Sequence, residues 1–366
     1  MKILQVIQKP QFRGAEIFAC QLSVELIRLG HQVDILFLFG GTDERLPYPL
    51  HFIPLHANIK RRFLDLKAYK KLNTIITEGG YDIVQANAAD TLKYCVISKV
   101  LYGWKSKLVL RNANKMGDFL NTTPKKMLNS FFVKKVDMVA SVSEMCKEDF
   151  LKQFPFYKKS LVYLPIGIDF NPVAAYDSFA AAGISIGIGN VFVHVGSFVP
   201  EKNHLGLLAI FKKYLAYDAS AKLLLIGEGK LKSEISKKIS DNDLQENIFL
   251  LGKRNDVLKL MPLCKAFLLP SHIEGLPGVI LEAMFSKIPV IAYDVGGVSE
   301  VLRDKTTGYL VEHNDEGGFV FAMISLNEIS NSKMTITARD MIIQKFDNST
   351  VAKEFMFEYM KLYNSI

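Results

Sequence analysis

Cysteine is scarce in this chain of 366 residues, and the four present, Cys20, Cys95, Cys146 and Cys264, share no CxxC or Cys/His ligand spacing. Neither a disulfide framework nor a zinc site is suggested, and a reducing compartment is the simpler assumption. The start, MKILQVIQ, has no basic and apolar leader, which argues against secretion. Long apolar runs are missing too. Segment 178–200 carries no formal charge, but Gly183, Gly187, Gly189, Gly196, Asn190 and three serines interrupt it. It does not read as a membrane span, and its VFVHVGSF alternates as a strand would. No sequence period repeats, so a solenoid is not expected. The loop KPQFRGA lacks a G-x-G-x-x-G fingerprint, and Gly187-Ile188-Gly189 precedes its strand instead of following it. Both count against a nicotinamide oxidoreductase. Asp241-Asn242-Asp243 has a DxD spelling used by metal sites, yet it follows a helix, where a polar turn is expected. Acidic residues are fewer than basic ones, 37 against 45, for a net charge of +8. An anionic partner is expected, but no nucleic-acid recognition motif accompanies the charge.

What the chain does have is length and alternation. Its size suits two domains of about 150 to 200 residues each. Apolar strand-like runs (Ile3 to Ile7, Val33 to Phe39, His51 to Leu55, Asp82 to Ala86, LVLRN, DMVASVS) alternate with amphipathic helical stretches as far as Phe154. The alternation lapses between Leu161 and Asn190 and restarts with Val191 to Val195, KLLLIG, NIFLLG, AFLLP and PVIAY; a helix is expected near Asp256 to Cys264. The fold class is therefore α/β, with two Rossmann-like domains, each a parallel sheet with helices on both faces. The boundaries are read as 1–165, 166–345 and a final helix, 346–366, returning to the first domain. Ligands of open parallel sheets sit outside the carboxyl ends of the strands, so two such domains facing each other make a cleft to which both contribute loops.

The stretch LLPSHIEGLPGVILEAMFSKIPVIAYDVGGVSEVL, from Leu268 to Leu302, reads as strand, glycine loop, helix, strand and second glycine loop. Pro277 fits the first helical position, and the free N–H groups of that turn attract anions. Glu274 and Glu282 bracket the turn and suit sugar and ribose hydroxyls better than phosphate. Other strand ends carry GSFVPEKN with Lys202, then Gly227-Glu228-Gly229, Gly252-Lys253-Arg254 and Gly296-Gly297. Glycine after one strand is ordinary turn chemistry. Five such loops in register point to a diphosphate or nucleotide pocket, because backbone must come close to the ligand at several strand ends.

EGLPGVILEAM, followed by PVIAYDVGGVSEVL and TTGYLV, resembles the nucleotide-sugar site of the retaining glycosyltransferases of family 4, which have the two-domain GT-B fold. GSFVPEKN is similar to that family's phosphate loop, LPIGID to its interdomain linker and RGAE to its first-domain glycine loop. The resemblance implies a metal-independent hexosyl- or related transferase with no cofactor. Its partners would be a nucleotide-diphosphate sugar and a glycan or lipid-linked acceptor, and its work surface polysaccharide or glycolipid assembly. It implies that Lys202 binds the diphosphate and Glu274 the donor-sugar hydroxyls, both as catalytic residues. The backbone of Gly275, Leu276, Pro277 and Gly278 would lie beside the sugar and phosphates, and Glu282 would hold the ribose. Gly14, Ser197, Gly252 and Arg254 complete the donor side; Arg13, Asn112 and Asn114 are candidates for acceptor or sugar contacts.

Three positions depart from the family pattern. Ser197 stands where the phosphate loop usually has arginine, which makes Arg13 and Arg254 the substitutes to consider. Arg13 replaces the first of two glycines, and LVLRNANKM lacks the histidine common after that strand. A transfer on one face, with the leaving phosphate taking the acceptor proton, needs no enzymic base. The competing reading is a glycan- or nucleotide-binding protein on the same scaffold without catalysis; an epimerase would need a titratable group at the sugar carbon that the matched motifs do not supply. His194 and His272 flank the site, where a histidine beside an apolar strand is more often structural.

Basic residues cluster with aromatics at Lys60, Arg61, Arg62 and Phe63, at Lys67, Lys70 and Lys71, and from Lys125 and Lys126 through Phe131 and Phe132 to Lys134 and Lys135. Helices of this kind can lie on an anionic bilayer surface. The expected location is cytoplasmic, peripheral on the inner face of the membrane.

Overall fold

Every ladder among the described residues is parallel, as the short apolar runs separated by helices require. The computed structural model describes residues 1–40, 46–61, 64–170, 174–186, 189–326 and 331–365. Arg62, Phe63, Gly187 and Ile188, singled out above, lie outside them. Contacts divide the chain into two units, Met1–Asp169 with Phe346–Ile366, and Phe170–Lys345.

The first unit runs β1 (Lys2–Ile7), α1 (Gly14–Arg28), β2 (Gln32–Phe37), β3 (His51–Pro54), α2 (Leu66–Gly79), β4 (Ile83–Ala86), α3 (Ala89–Tyr102), β5 (Lys107–Asn112), α4 (Thr123–Val133), β6 (Met138–Ser141), α5 (Glu144–Gln153) and β7 (Ser160–Tyr163). Its sheet has the order β3-β2-β1-β4-β5-β6-β7. Local chemistry sets the helix ends. The Asp65 carboxylate accepts from the Ala68 N–H at the start of α2, and Gly80, in the left-handed region at φ 62°, ends it. Ser143 caps α5 in the same way. One face of the sheet packs Leu4, Val6, Val84 and Leu108 against Leu72 and Ile76 of α2, Tyr94 and Val96 of α3 and Phe132 and Val133 of α4. The last helix of the chain belongs to this unit, with Phe355 against Phe18 of α1 at 5.9 Å between ring centres.

The second unit runs β8 (Val191–Val195), α6 (His204–Leu215), β9 (Lys222–Ile226), α7 (Lys232–Asp241), β10 (Ile248–Gly252), α8 (Val257–Leu260), β11 (Ala266–Leu269), α9 (Gly278–Phe285), β12 (Val290–Tyr293), α10 (Val298–Val301), β13 (Tyr309–Val311), α11 (Glu316–Ser325) and α12 (Asn331–Lys345). α13 (Asn348–Asn364) is the returning helix. The strand order is β10-β9-β8-β11-β12-β13, so the order reverses between β8 and β11. The helix expected over Asp256 to Cys264 is instead a four-residue α8 followed by a 3-10 turn, Met261–Leu263. Pro262 lacks the N–H that the continuing helix would need.

Candidate active site

At the reversal point of the second sheet, the loops leaving β8 and β11 lie side by side, the place where open parallel sheets receive ligands. They are tied to one another by backbone. The His272 N–H donates to the Glu201 carbonyl at 2.8 Å, and Asn203 Nδ2 donates to the Pro270 carbonyl at 3.0 Å. Asn203 also caps α6, accepting from the Gly206 N–H at 3.1 Å. The Gly297 N–H donates to the Gly275 carbonyl at 2.6 Å. Two of the expected ligand-approach glycines serve this knitting. A Cβ on Gly227 would lie 1.9 Å from the Gly196 carbonyl oxygen, and one on Gly296 (φ 55°) 1.8 Å from that of Glu274. Their glycine identity follows from loop against loop.

Within this frame the Lys202 ammonium lies 2.6 Å from Glu274 Oε1, and the Glu274 side chain is only 7% exposed. A charge-assisted bond of this length holds a donor and an acceptor in fixed register. Pro277 stands one position outside the expected place: with extended backbone (φ −76°, ψ 117°) it is the N-cap, and α9 opens at Gly278. Leu276 is buried in the turn. Glu282, on α9, is treated differently from Glu274. Burial lifts its carboxyl to about 7, and no ion pair or side-chain hydrogen bond to it occurs among the described residues. A salt-bridged helix glutamate would show a cation here.

Arg254 is committed elsewhere. Its Nε and Nη2 lie 2.8 and 2.6 Å from the two carboxylate oxygens of Asp256, and Nη2 also donates to the Ala182 carbonyl at 3.0 Å. Asp256 accepts a further bond from the Tyr176 hydroxyl, and these bonds depress its carboxyl. The guanidinium is therefore neutralised in place. Ser197 is half-buried in the β8 loop, and Gly252, at φ 66°, accepts the Gly227 N–H at 2.9 Å.

In the first unit, Arg13 has ordinary extended backbone (φ −132°, ψ 153°), so replacing a glycine there costs no strain. A Cβ on Gly14 would meet nothing within 4 Å, and both residues are exposed. Asn114 is also exposed, whereas Asn112 is 2% exposed. Asn112 Nδ2 donates to Ser141 Oγ at 3.2 Å and to the Cys146 carbonyl at 3.1 Å, which makes it a tie between β5, β6 and α5. Both bonds of that amide group go to buried partners.

His194 is fully buried with Nδ1 2.8 Å from the Leu268 carbonyl oxygen, and its ring packs edge-on to His204 at 4.7 Å. Burial drives His194 well below its ordinary value and His204 to about 4. Both therefore stay neutral and structural. His272 sits outside, its Nδ1 3.0 Å from His313 Nε2. Asp241-Asn242-Asp243 ends α7 and turns toward the amino edge of the sheet, away from the site.

Two buried charged side chains, Glu16 and Arg111, stand in the first unit at positions not singled out above. Glu16 accepts from Gln11 Nε2 at 3.1 Å and is raised by burial. Arg111, 5% exposed, stacks its guanidinium 4.1 Å from the Phe18 ring centre, and burial lowers it to about 10. The charge in the otherwise apolar run LVLRN was the signal.

Residues 186–341 match the family model described as Glycosyl transferases group 1, and residues 12–171 match that described as Glycosyltransferase Family 4. The chain is 24% identical over 373 residues to the N-acetyl-alpha-D-glucosaminyl L-malate synthase of Bacillus anthracis, covering 94% of this chain and 93% of that one. It is 25% identical over 365 residues to the N-acetylgalactosamine-N,N'-diacetylbacillosaminyl-diphospho-undecaprenol 4-alpha-N-acetylgalactosaminyltransferase of Campylobacter jejuni, with 95% and 93% covered. Among solved structures, Anabaena HepE in complex with UDP and glucose superposes with a TM-score of 0.83 at 18% identity, covering 99% of this chain and 100% of that one. At that identity the likeness shows the fold, two Rossmann-like α/β domains of the GT-B kind.

Proposed function

The chain belongs to glycosyltransferase family 4, and from that premise we propose that it transfers a sugar, with retention and without a metal, from a nucleoside diphosphate donor to a glycan or lipid-linked acceptor. The observation that carries the reading is the Lys202–Glu274 pair at the reversal point of the second sheet, 2.6 Å long with its carboxylate nearly buried. As a donor enters, Lys202 passes to the diphosphate and Glu274 to the sugar hydroxyls, beside the backbone of Gly275 to Gly278. Glu282, desolvated and unpaired, accepts from the ribose. Negative charge builds on the leaving diphosphate in the transition state, and Lys202 with the first N–H groups of α9 meets it. The departing phosphate takes the acceptor proton on the same face; Asn114 can orient but not remove a proton.

The diphospho-undecaprenol in one relative's name supports a lipid-linked acceptor and the malate in the other's a small one; surface polysaccharide or glycolipid assembly on the inner face of the membrane is the setting we propose. HepE makes UDP the first diphosphate to test. Glu274→Ala is expected to abolish donor turnover, by hydrolysis or transfer, while thermal unfolding shows the fold retained; the same assay with a chelator checks metal independence. Near-normal turnover by the purified variant would sink the assignment.

A further inference from the structure

α4 is an unusual helix for a soluble domain, because only Phe132 and Val133 of it are buried. Met127 is 69% exposed, Leu128 42% and Phe131 45%, and Phe119 just before the helix is 44% exposed. At 100° per residue these three helix side chains fall within an arc of about 100°, opposite Val133 and bordered by Phe132. A groove of about 590 Å³ runs along it, lined by Leu120, Met127 and Phe131 together with Lys126 and Lys134. From Phe119 to Lys135 the chain has four lysines, Lys125, Lys126, Lys134 and Lys135, and no acidic residue. A single exposed apolar residue needs no explanation, but a contiguous apolar face ringed by one sign of charge marks an interaction site.

The surroundings repeat the chemistry. α2 and α4 pack on the same face of the first sheet. Before and along α2, Leu64 is 80% exposed and Leu66 62%, among Lys60, Arg61, Lys67, Lys70 and Lys71. The segments 55–61 and 113–122 follow the carboxyl ends of parallel strands, β3 and β5. These lie four positions apart in the sheet, roughly 19 Å at about 4.8 Å per strand. Two basic and apolar clusters on one side of one rigid domain fit a flat anionic surface better than a concave partner.

We propose that α4 docks the first domain on the surface of an anionic phospholipid bilayer. Met127, Leu128 and Phe131 enter the acyl boundary while Lys134 and Lys135, beside that arc, meet the phosphate headgroups and Lys125 and Lys126 add positive charge at the amino end of the helix. The inference rests on the lipid-linked acceptor of the proposed function for its purpose, since docking brings the domain to the plane where such an acceptor presents its sugar. Its evidence is independent of the donor site.

The test is sedimentation of the full chain with vesicles of equimolar phosphatidylglycerol and phosphatidylcholine, against phosphatidylcholine alone. Binding to the anionic vesicles is expected, weakening as salt is added. The Met127→Ser, Leu128→Ser, Phe131→Ser variant should lose about tenfold or more of the partition, and each lysine replaced by alanine about fivefold. All of these side chains are exposed, so unfolding temperatures should match the parent, and the lysine series stands by itself if the triple variant does not. Failure of the parent chain to bind anionic vesicles, or equal binding by parent and variants, overturns the proposal. So does self-association in sedimentation velocity that the triple variant abolishes without any vesicle binding, because a second copy then covers the face. Vesicle binding without donor turnover would overturn the transfer reading and leave the docking; turnover without vesicle binding would do the reverse.

Discussion

Replacing Glu282 by glutamine should make the protein more stable at neutral and alkaline pH and weaken its hold on a nucleotide. Burial moves this carboxyl from 4.5 to about 7 with no partner to compensate. At about 1.4 kcal/mol per tenfold, ionising it in the folded chain costs roughly 3 kcal/mol. The side chain keeps some contact with solvent, so about 2 kcal/mol is the working figure. The sign follows from proton counting. Between 4.5 and about 7 the folded chain binds more protons than the unfolded one, so stability falls as pH rises through that window and is level above it. Glu282→Gln removes this dependence. Its unfolding temperature should match the parent near pH 4.5 and exceed it above pH 7 by about 4 to 8 °C, the shift such an energy gives in a domain of this size. If ribose hydroxyls donate to the carboxylate, nucleotide binding pulls its titration down and releases protons near neutrality. Calorimetry of UDP in buffers of different ionisation enthalpy should show that release for the parent and none for the variant, with affinity lower by about tenfold or more. Stability curves that run parallel in pH would refute the burial argument, and equal UDP affinity would refute the ribose role.

Arg254→Ala should lower the unfolding temperature by leaving Asp256 with only the Tyr176 hydroxyl, at a cost of about 1 to 3 kcal/mol, and leave the KM for donor unchanged. A KM raised more than tenfold at unchanged stability would make Arg254 the missing half of the phosphate clamp after all. Asn112→Ala strands Ser141 Oγ and the Cys146 carbonyl, so thermal unfolding should show a loss of about 1 to 3 kcal/mol while kcat/KM holds. A large fall in kcat/KM without a change in stability would return Asn112 to the acceptor side.

The fold was legible because its determinants are local. Short apolar runs mark the strands, and Asp65, Gly80 and Ser143 mark helix ends by chemistry that involves only their own neighbours. Pro262 was equally visible, and it divides the helix expected over 256–264 for a reason the sequence already carried. The site divides along the same line. Glu274 and Glu282 share one stretch, so their places on a loop and the helix that follows it could be read directly. The Lys202–Glu274 pair spans two strand ends and comes only from the sheet order. Gly227 and Gly296 show what spacing cannot separate: a glycine demanded by a neighbouring loop and one demanded by a ligand look alike in a sequence. Arg254 and Asp256 are two apart, and the proximity of opposite charges was a usable sign that the arginine would be neutralised.

The two carboxylates of the site are held in opposite electrostatic states, and that contrast shapes what a donor must supply. Glu274 has its cation already in place, so on the proposed roles a donor must replace one short ion pair by two separate contacts, phosphate on the lysine and hydroxyl on the glutamate. A diphosphate without a sugar would take the lysine and leave a nearly buried carboxylate without its partner, an unfavourable half-exchange. Glu282 has no partner to lose, and any hydroxyl that reaches it relieves desolvation already incurred in folding. On the proposed roles the nucleoside end binds at a gain, whereas the reacting end breaks even only when phosphate and sugar arrive together. Selection of the intact donor over its own leaving group follows from that asymmetry, because product release restores the Lys202–Glu274 pair and substrate binding must complete both halves of the exchange.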